Sequence, residues 1–307
     1  MLTKAMHQAG DERGRLELGS RELRDVRRFS HEAMATVFEI HAVHADARYA
    51  AQAAQAAFDL VDRLENELSR FRANSDITRI NHLAAGESTR VSPSTMECLV
   101  IARHMYDMTN GTFDVSIGSG LASLELDADD LVVRAREMGA QIDLGGIGKG
   151  YAVDLMAESL EEWGLEASLV HGGFSSVLAL DPPAGLDGWP LTLSHPRESR
   201  IFERLSVRQT ALSASGLRKG DHIIDPRDGQ PVRGRLAAWV TVPRPAGGDA
   251  MVQDRPRVAA IADALTTAFM LLDARDIELL CDRTPGIEAW LLTDDGPQLL
   301  RFGSRGS

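Results

Sequence analysis

The stretch Asp143-Leu-Gly-Gly-Ile-Gly-Lys-Gly-Tyr-Ala-Val-Asp154 places four glycines (Gly145, Gly146, Gly148, Gly150) and Lys149 within six residues. A helical pattern follows at once. Ala152, Leu155, Met156, Ser159, Leu160 and Trp163 fall on one face, and Gly164 stands where a C-cap belongs. Glycines let a backbone approach a ligand closely, and free N–H groups at a helix start favour anions. Two readings stand at this point: a cradle for a diphosphate, or a tight turn into an amphipathic helix. The loop is not a Walker A motif, which needs Ser or Thr after the lysine, whereas Gly150 follows Lys149. Its glycine spacing also fails the dinucleotide-binding fingerprint.

Outward from this loop, the pattern predicts a strand over Ala35–Val43 and a long helix from about Asp46 to Leu68, with Ala50, Ala54, Ala57, Val61, Leu64 and Leu68 as its buried stripe. Ser92-Pro93 reads as an N-cap and first-turn proline opening a helix to about Thr109. Gly111–Leu121 reads as loop. Short strands are expected at Ala167–Val170, Ser176–Leu180, Leu191–Ser194, Glu203–Arg208, Ala211–Ser213, His222–Ile224 and Ala237–Val242. Helices follow at Ala259–Leu272 and Ile277–Arg283, and a hairpin of Ala289–Leu292 with Gln298–Phe302 closes the chain. Helices and strands alternate irregularly. The expected class is therefore α+β, a largely antiparallel or mixed sheet core flanked by helices. Residues 1–28 read as a poorly ordered arm, with a short helix at Ser20–Arg28, and residues 29–307 as the folded domain.

The chain has 307 residues, 44% of them hydrophobic, which suffices for a proper core. Its net charge of −12 argues against a nucleic-acid partner. The two cysteines, Cys98 and Cys281, sit in apolar helical surroundings and read as buried thiols. No Cys-x-x-Cys or His-x-x-x-His spacing suggests zinc. No run reaches membrane-spanning length, and Met1–Arg28 has neither an apolar signal core nor a lipidation cysteine. A soluble chain is expected, cytoplasmic or without its export signal.

Three polar clusters carry candidate chemistry. His222 lies between Asp221 and Asp225 ahead of Pro226, a setting for acid–base work or for an ordinary solvated histidine. Asp263 and Thr267 are four residues apart inside an apolar helix and share one face. A carboxylate and a hydroxyl presented together suit Mg²⁺. The plainer reading has Asp263 capping the helix and Thr267 bonding back to a carbonyl. Ser69–Asn81 is rich in donors and capping residues.

Taken in order, these pieces resemble the ApbE family of FAD:protein FMN transferases. The family's signature, roughly Asp-Leu-Gly-Gly-Ile-Ala-Lys-Gly-Tyr-Ala-Val-Asp, stands here as Asp143–Asp154 with Gly148 in place of Ala. Its Met-Gly-Thr is similar to Met34-Ala35-Thr36, and its Ser-x-Ile-x-x-x-Asn to Ser75–Asn81. Gly-x-Phe-Asp-x-[Thr/Ser] stands as Gly111–Ser116. Ser-Gly followed by His-Ile-Ile-Asp-Pro stands as Ser215-Gly216 and His222–Pro226. Ala-Asp-Ala-Leu-x-Thr stands as Ala262–Thr267. The resemblance spans about residues 29–295.

The resemblance implies an ApbE-like fold and Mg²⁺-dependent transfer of the FMN half of FAD to a Thr or Ser hydroxyl of an acceptor protein, releasing AMP. It implies metal ligation by Asp263, Thr267 and the Gly148 carbonyl. Lys149 would lie near the diphosphate. Met34, Asn81, Asp114 and Ser215 would line the flavin and adenosine pocket, and His222 would be the catalytic histidine. The family is often exported as a periplasmic lipoprotein. Two stretches depart from its pattern. Where the family has Asn-x-Gly-Gly-Asp, this chain has Val170-His-Gly-Gly-Phe174, and the segment between Gly118 and Asp143 is short, with no Trp-Gly. Two alternatives accompany the transferase reading: an FAD diphosphatase giving FMN and AMP, and a non-catalytic FAD-binding protein.

Overall fold

The computed structural model describes residues 25–116, 118–173, 175–216, 224–226, 229–245, 256–294 and 298–303. A hairpin of β1 (Val26–Ala33) and β2 (Thr36–Val43) comes first. Its two-residue turn, Met34-Ala35, has both residues at positive φ, 48° and 56°. Such turns match the strand twist, though non-glycine residues there are strained. α1 (Ala47–Leu68) follows, capped by Asp46, which accepts from the amides of Arg48 and Tyr49. Its predicted stripe is buried in full, joined by Ala53 and Phe58. α2 (Asp76–Asn81), β3 (Ser88–Arg90), α3 (Pro93–Met108), β4 (Leu124–Asp127) and β5 (Val132–Ala135) come next.

The glycine stretch then enters α4 (Gly148–Glu162). The strands β6 (Ser168–Gly172), β7 (Ser176–Ala179), β8 (Trp189–Ser194), β9 (Ile201–Val207), β10 (Thr210–Gly216) and β11 (Arg235–Pro243) follow. The chain closes with α5 (Val258–Phe269), α6 (Ala274–Arg283), β12 (Glu288–Thr293) and β13 (Leu299–Gly303).

Eight strands form one sheet in the order β1-β2-β6-β7-β10-β11-β12-β13, every neighbouring pair antiparallel. This is the α+β architecture expected. Strand alternation sends side chains to two faces. Ile40, Val170, Leu178, Ala211, Ala238 and Val240 join the main core under α1, α4 and α5. Leu169, Val177, Leu212, Trp239 and Trp290 form a second core with Trp189, Leu191 and Leu193 of the β8–β9 ribbon. Cys98 and Cys281 are buried free thiols. Among the described residues, no helix is long and apolar enough to cross a membrane.

Several expectations are revised. Val26, Arg27 and Arg28, assigned by sequence to the arm and its short helix, are strand and pair with Val43, Ala42 and His41 in turn. The segment between Gly118 and Asp143, for which the sequence suggested no element, contains β4 and β5, which join β3 in a small sheet of order β3-β5-β4. α4 begins at Gly148, so two of the four glycines lie inside the helix. Nor is α4 an amphipathic surface helix. It is buried on most sides, with Leu155 and Ser159, assigned to its apolar face, only partly covered. Packed between α1, α5 and the sheet, it has little polar face to show.

Candidate active site at the crossing of two helices

The site forms where the start of α4 meets the middle of α5. Gly150 makes the approach possible. A Cβ there would stand 2.2 Å from the Ala259 carbonyl oxygen and 2.8 Å from the Ala260 nitrogen, so only glycine fits this crossing. Gly172 of β6 is confined less severely, its Cβ position lying 2.9 Å from the Val153 side chain and 3.1 Å from Phe38. The Gly150 amide donates to Asp263 Oδ2 at 3.1 Å, and Lys149 Nζ lies 3.2 Å from the same oxygen. Lys149 Nζ also donates to the Gly145 carbonyl at 3.2 Å.

α5 has no side-chain cap of its own; Arg257 stands at its N-cap position. The cap comes from α4. Asp154 accepts from the Ala259 and Ala260 amides at 3.0 and 2.9 Å. These are orphan donors of a helix start. Burial pushes the Asp154 carboxyl up to about 7, against the pull of those two amides. Asp263 therefore lies well inside α5 and is not a helix cap, contrary to the plainer of the two sequence readings. Thr267 Oγ1 does reach back to the Asp263 carbonyl, at 3.4 Å. The neighbouring Thr266 hydroxyl donates to the same carbonyl at 2.8 Å and accepts from Ser215 Oγ at 2.9 Å. Ser215 of β10 is thus tied to the Asp263 turn.

The loop before α4 is held by residues on three sides. Asp143 accepts from the Gly145 amide at 2.9 Å and pairs with Arg70 at 3.0 Å. Asn81, at the end of α2, donates to the Ile142 carbonyl at 3.0 Å and accepts from its amide at 2.7 Å. Its amide group is therefore engaged with the loop's own backbone. Asp114 accepts from the Ser116 amide and hydroxyl and from the Gly118 amide, organising the Gly111–Leu121 turn. The two loops join where the Asp143 amide donates to the Val115 carbonyl at 2.7 Å.

Gly146 leaves open the space beside Thr267. A Cβ there would lie 3.4 Å from Thr267 Oγ1 and 3.3 Å from the Phe113 ring. Gly148, by contrast, has its nearest neighbour at 3.8 Å, so alanine fits there as well. Met34 sits at the β1–β2 turn; just past it, the Val37 carbonyl accepts from the Gly173 amide and Thr36 stands where a Cβ on Gly173 would be. His222 lies outside the described residues. Pro226 is described, and its carbonyl abuts Gly118, 2.8 Å from where a Cβ would be. That end of the His222 segment therefore meets the Asp114 turn.

The structure thus brings Gly148, Lys149, Asp263, Thr267 and Ser215 to one crossing, and sets Asn81 and Asp114 in the loops supporting it. Sequence reasoning missed Thr266, Asp143 and Asp154 as parts of the site. Asp143 and Asp154 were legible as acidic ends of the glycine stretch, one ahead of its turn and one a helical turn past Gly150. Thr266 carried no signal beyond adjacency to Thr267. Among the described residues, no three His, Cys, Asp or Glu side chains cluster to hold a metal. A cation here would instead meet one carboxylate with hydroxyl and carbonyl oxygens, the donors of a hard ion such as Mg²⁺.

Comparison with known proteins shows the family. The ApbE family model matches residues 34–129 and 119–291. The FAD:protein FMN transferase of Klebsiella pneumoniae is 24% identical over 289 residues, 79% of this chain and 76% of that protein. The FAD:protein FMN transferase of Vibrio cholerae is 23% identical over 266 residues, 71% of this chain and 78% of that one. In fold, the chain is similar to the apo flavinyl transferase ApbE of Pseudomonas stutzeri. That likeness has a TM-score of 0.75 at 21% identity and covers 91% of this chain and 94% of that structure. The chain belongs to the ApbE family.

Proposed function

We propose that this protein is an FAD:protein FMN transferase. It moves the FMN half of FAD to a Thr or Ser hydroxyl of an acceptor protein and releases AMP. The observation that supports it best is the convergence, at one helix crossing, of a glycine-rich turn at a helix start with an oxygen-donor set containing a buried carboxylate. Either alone is common in proteins; together they suit a metal-bound diphosphate.

The donor set fits Mg²⁺. Asp263, Thr267 and the Gly148 carbonyl would hold it. The Lys149 ammonium, lodged between the Asp263 carboxylate and the Gly145 carbonyl, already marks the place as one that accepts positive charge. When bound, the ion would neutralise diphosphate charge. The rest falls to the chain's own residues. Phosphoryl transfer depends on positioning and charge stabilisation more than on covalent help. Lys149 and the amides at the start of α4 would face the diphosphate. Met34 at the β1–β2 turn and Ser215 on β10 would border the flavin and adenosine groups, with Asn81 and Asp114 fixing the loops that wall the pocket. The acceptor hydroxyl oxygen forms a bond to the phosphorus of the FMN half, and the bond from that phosphorus to the AMP oxygen breaks. His222 would take the hydroxyl proton.

Incubation with FAD, Mg²⁺ and a candidate acceptor should give AMP and covalently flavinylated acceptor in equal amounts, with EDTA or Asp263→Asn stopping both. Equal AMP release with and without acceptor, and no labelled protein, would replace the transferase by an FAD diphosphatase. FAD binding with no AMP would leave a binding protein.

A further inference from the structure

We propose that Lys149 is a tethered counter-cation for Asp263, which an incoming divalent cation must displace. The inference rests on Asp263 being a metal ligand. The Asp263 side chain is 4% exposed. A carboxylate so buried is costly unless something pairs with it. Among the described residues its Oδ2 meets two partners, the Gly150 amide, which offers a dipole, and the Lys149 ammonium, which offers a full charge. The ammonium is held on its other side by the Gly145 carbonyl. It therefore occupies a carboxylate-plus-carbonyl oxygen set, the environment a hard cation seeks.

An ammonium and a dication on one carboxylate repel each other strongly in such a setting. Lys149 is able to leave. Its side chain is 25% exposed, on a flexible stem that starts in the first turn of α4. The released ammonium gains an anionic partner when a diphosphate lies at the same helix start. Lys149 thus lowers the intrinsic cation affinity of the empty site and links full cation binding to the presence of the nucleotide. An empty site kept neutral by its own lysine also needs no metal to stay folded.

The probe is Mn²⁺ alone, titrated into metal-free protein and followed by the EPR signal of the free ion, alongside thermal unfolding in EDTA and in Mn²⁺. Lys149→Met keeps the stem and removes the charge. It should bind Mn²⁺ about tenfold more tightly than the parent, within the usual range for coupled ligands. It should also melt earlier than the parent in EDTA and gain more from Mn²⁺. Lys149→Arg should return the affinity toward the parent. An unchanged or weaker Mn²⁺ affinity in Lys149→Met overturns the inference. Should that variant fail to fold, Lys149→Gln carries the same expectation. Asp263→Asn separates the two failures, since undiminished Mn²⁺ binding in that variant removes the metal assignment itself.

Discussion

Replacing Gly150 by alanine tests whether the α4–α5 crossing sets the site. The added methyl carbon would lie 2.2 Å from the Ala259 carbonyl oxygen, 2.6 Å from its carbon and 2.8 Å from the Ala260 nitrogen. All three are backbone atoms, so no side chain can rotate away. Carbon–oxygen contacts settle near about 3.3 Å, so the helices must part by about 1 Å. Overpacking of this kind costs about 1–3 kcal/mol. The same displacement stretches the Gly150 amide bond to the Asp263 carboxylate, and hydrogen bonds to charged groups contribute about 1.5–3 kcal/mol. Against this, alanine favours a helix over glycine by up to about 1 kcal/mol. The net expectation is a loss of about 3 kcal/mol in urea unfolding followed by tryptophan fluorescence. Misplacing reacting groups by about 1 Å slows catalysis by about a hundredfold, so FMN transfer should fall on that scale even where the variant is fully folded. A variant within about 1 kcal/mol of the parent and transferring at a near-parental rate would refute the claim that this crossing positions Asp263.

Asp154→Asn should change the pH dependence of stability. Burial raises the Asp154 carboxyl from 3.8 to about 7, so across that interval the folded protein keeps a proton that the unfolded chain has lost. Stability from this group accordingly falls as pH rises from about 4 to about 7 and is level above. The amide has no such slope, and urea midpoints between about pH 4.5 and about pH 8 should show the parent losing ground to the variant; parallel profiles would contradict it. Arg257 is paired with Glu97 at 2.7 Å and with the buried Glu158, and its hydrogen bonds to them outweigh the burial that opposes its charge. Arg257→Met should destabilise by about 3–5 kcal/mol, because Glu158 is left buried without its partner. A calorimetric melt within about 1 kcal/mol of the parent would show that Glu158 finds water or another cation.

Much of this was legible in the residues. Periodicity located α1 almost to the residue, because its alanines and leucines face one core and its other side faces solvent. It misjudged α4 for the opposite reason: a helix packed between α1, α5 and the sheet has no stripe to read. β1 was missed because Arg27 and Arg28 read as the end of a polar arm and the outward Ser30 and Glu32 carry no strand signal of their own; only pairing with β2 makes the segment strand. Three-residue β3 is set by its partner β5 and carries no pattern of its own. Asp263 and Thr267 were legible as an i, i+4 pair. The cap that Asp154 lends to α5 spans more than a hundred residues of chain and has no local signature.

The departure at Val170 falls on β6, the strand that packs beneath α4, and Val170 and His171 face opposite sides of the sheet. Val170 is fully buried on the helix-facing side, and its register partners, Ile40 on β2 and Leu178 on β7, are apolar and buried too. The row is therefore apolar throughout, and an asparagine there would need polar partners that its register neighbours do not supply. His171 points the other way. It sits edge-on to His41 at 5.9 Å, near Glu39, and burial pulls its pKa down to about 4, so it carries no charge at neutral pH. Phe174 lies outside the described residues. Neither Val170 nor His171 makes a recorded hydrogen bond or ion pair with Gly150, Asp154, Asp263 or Ser215, the residues that fix the α4–α5 crossing. What β6 shares with the site is Gly172, whose missing side chain leaves room for Val153 and for the Lys149 carbonyl behind it. That glycine is kept. The altered strand thus changes side chains on either side of Gly172 while preserving the backbone clearance that seats α4. If the crossing holds the diphosphate as proposed, FMN transfer per bound FAD should survive the departure, because Gly150, Asp154, Asp263 and Ser215 stay in place.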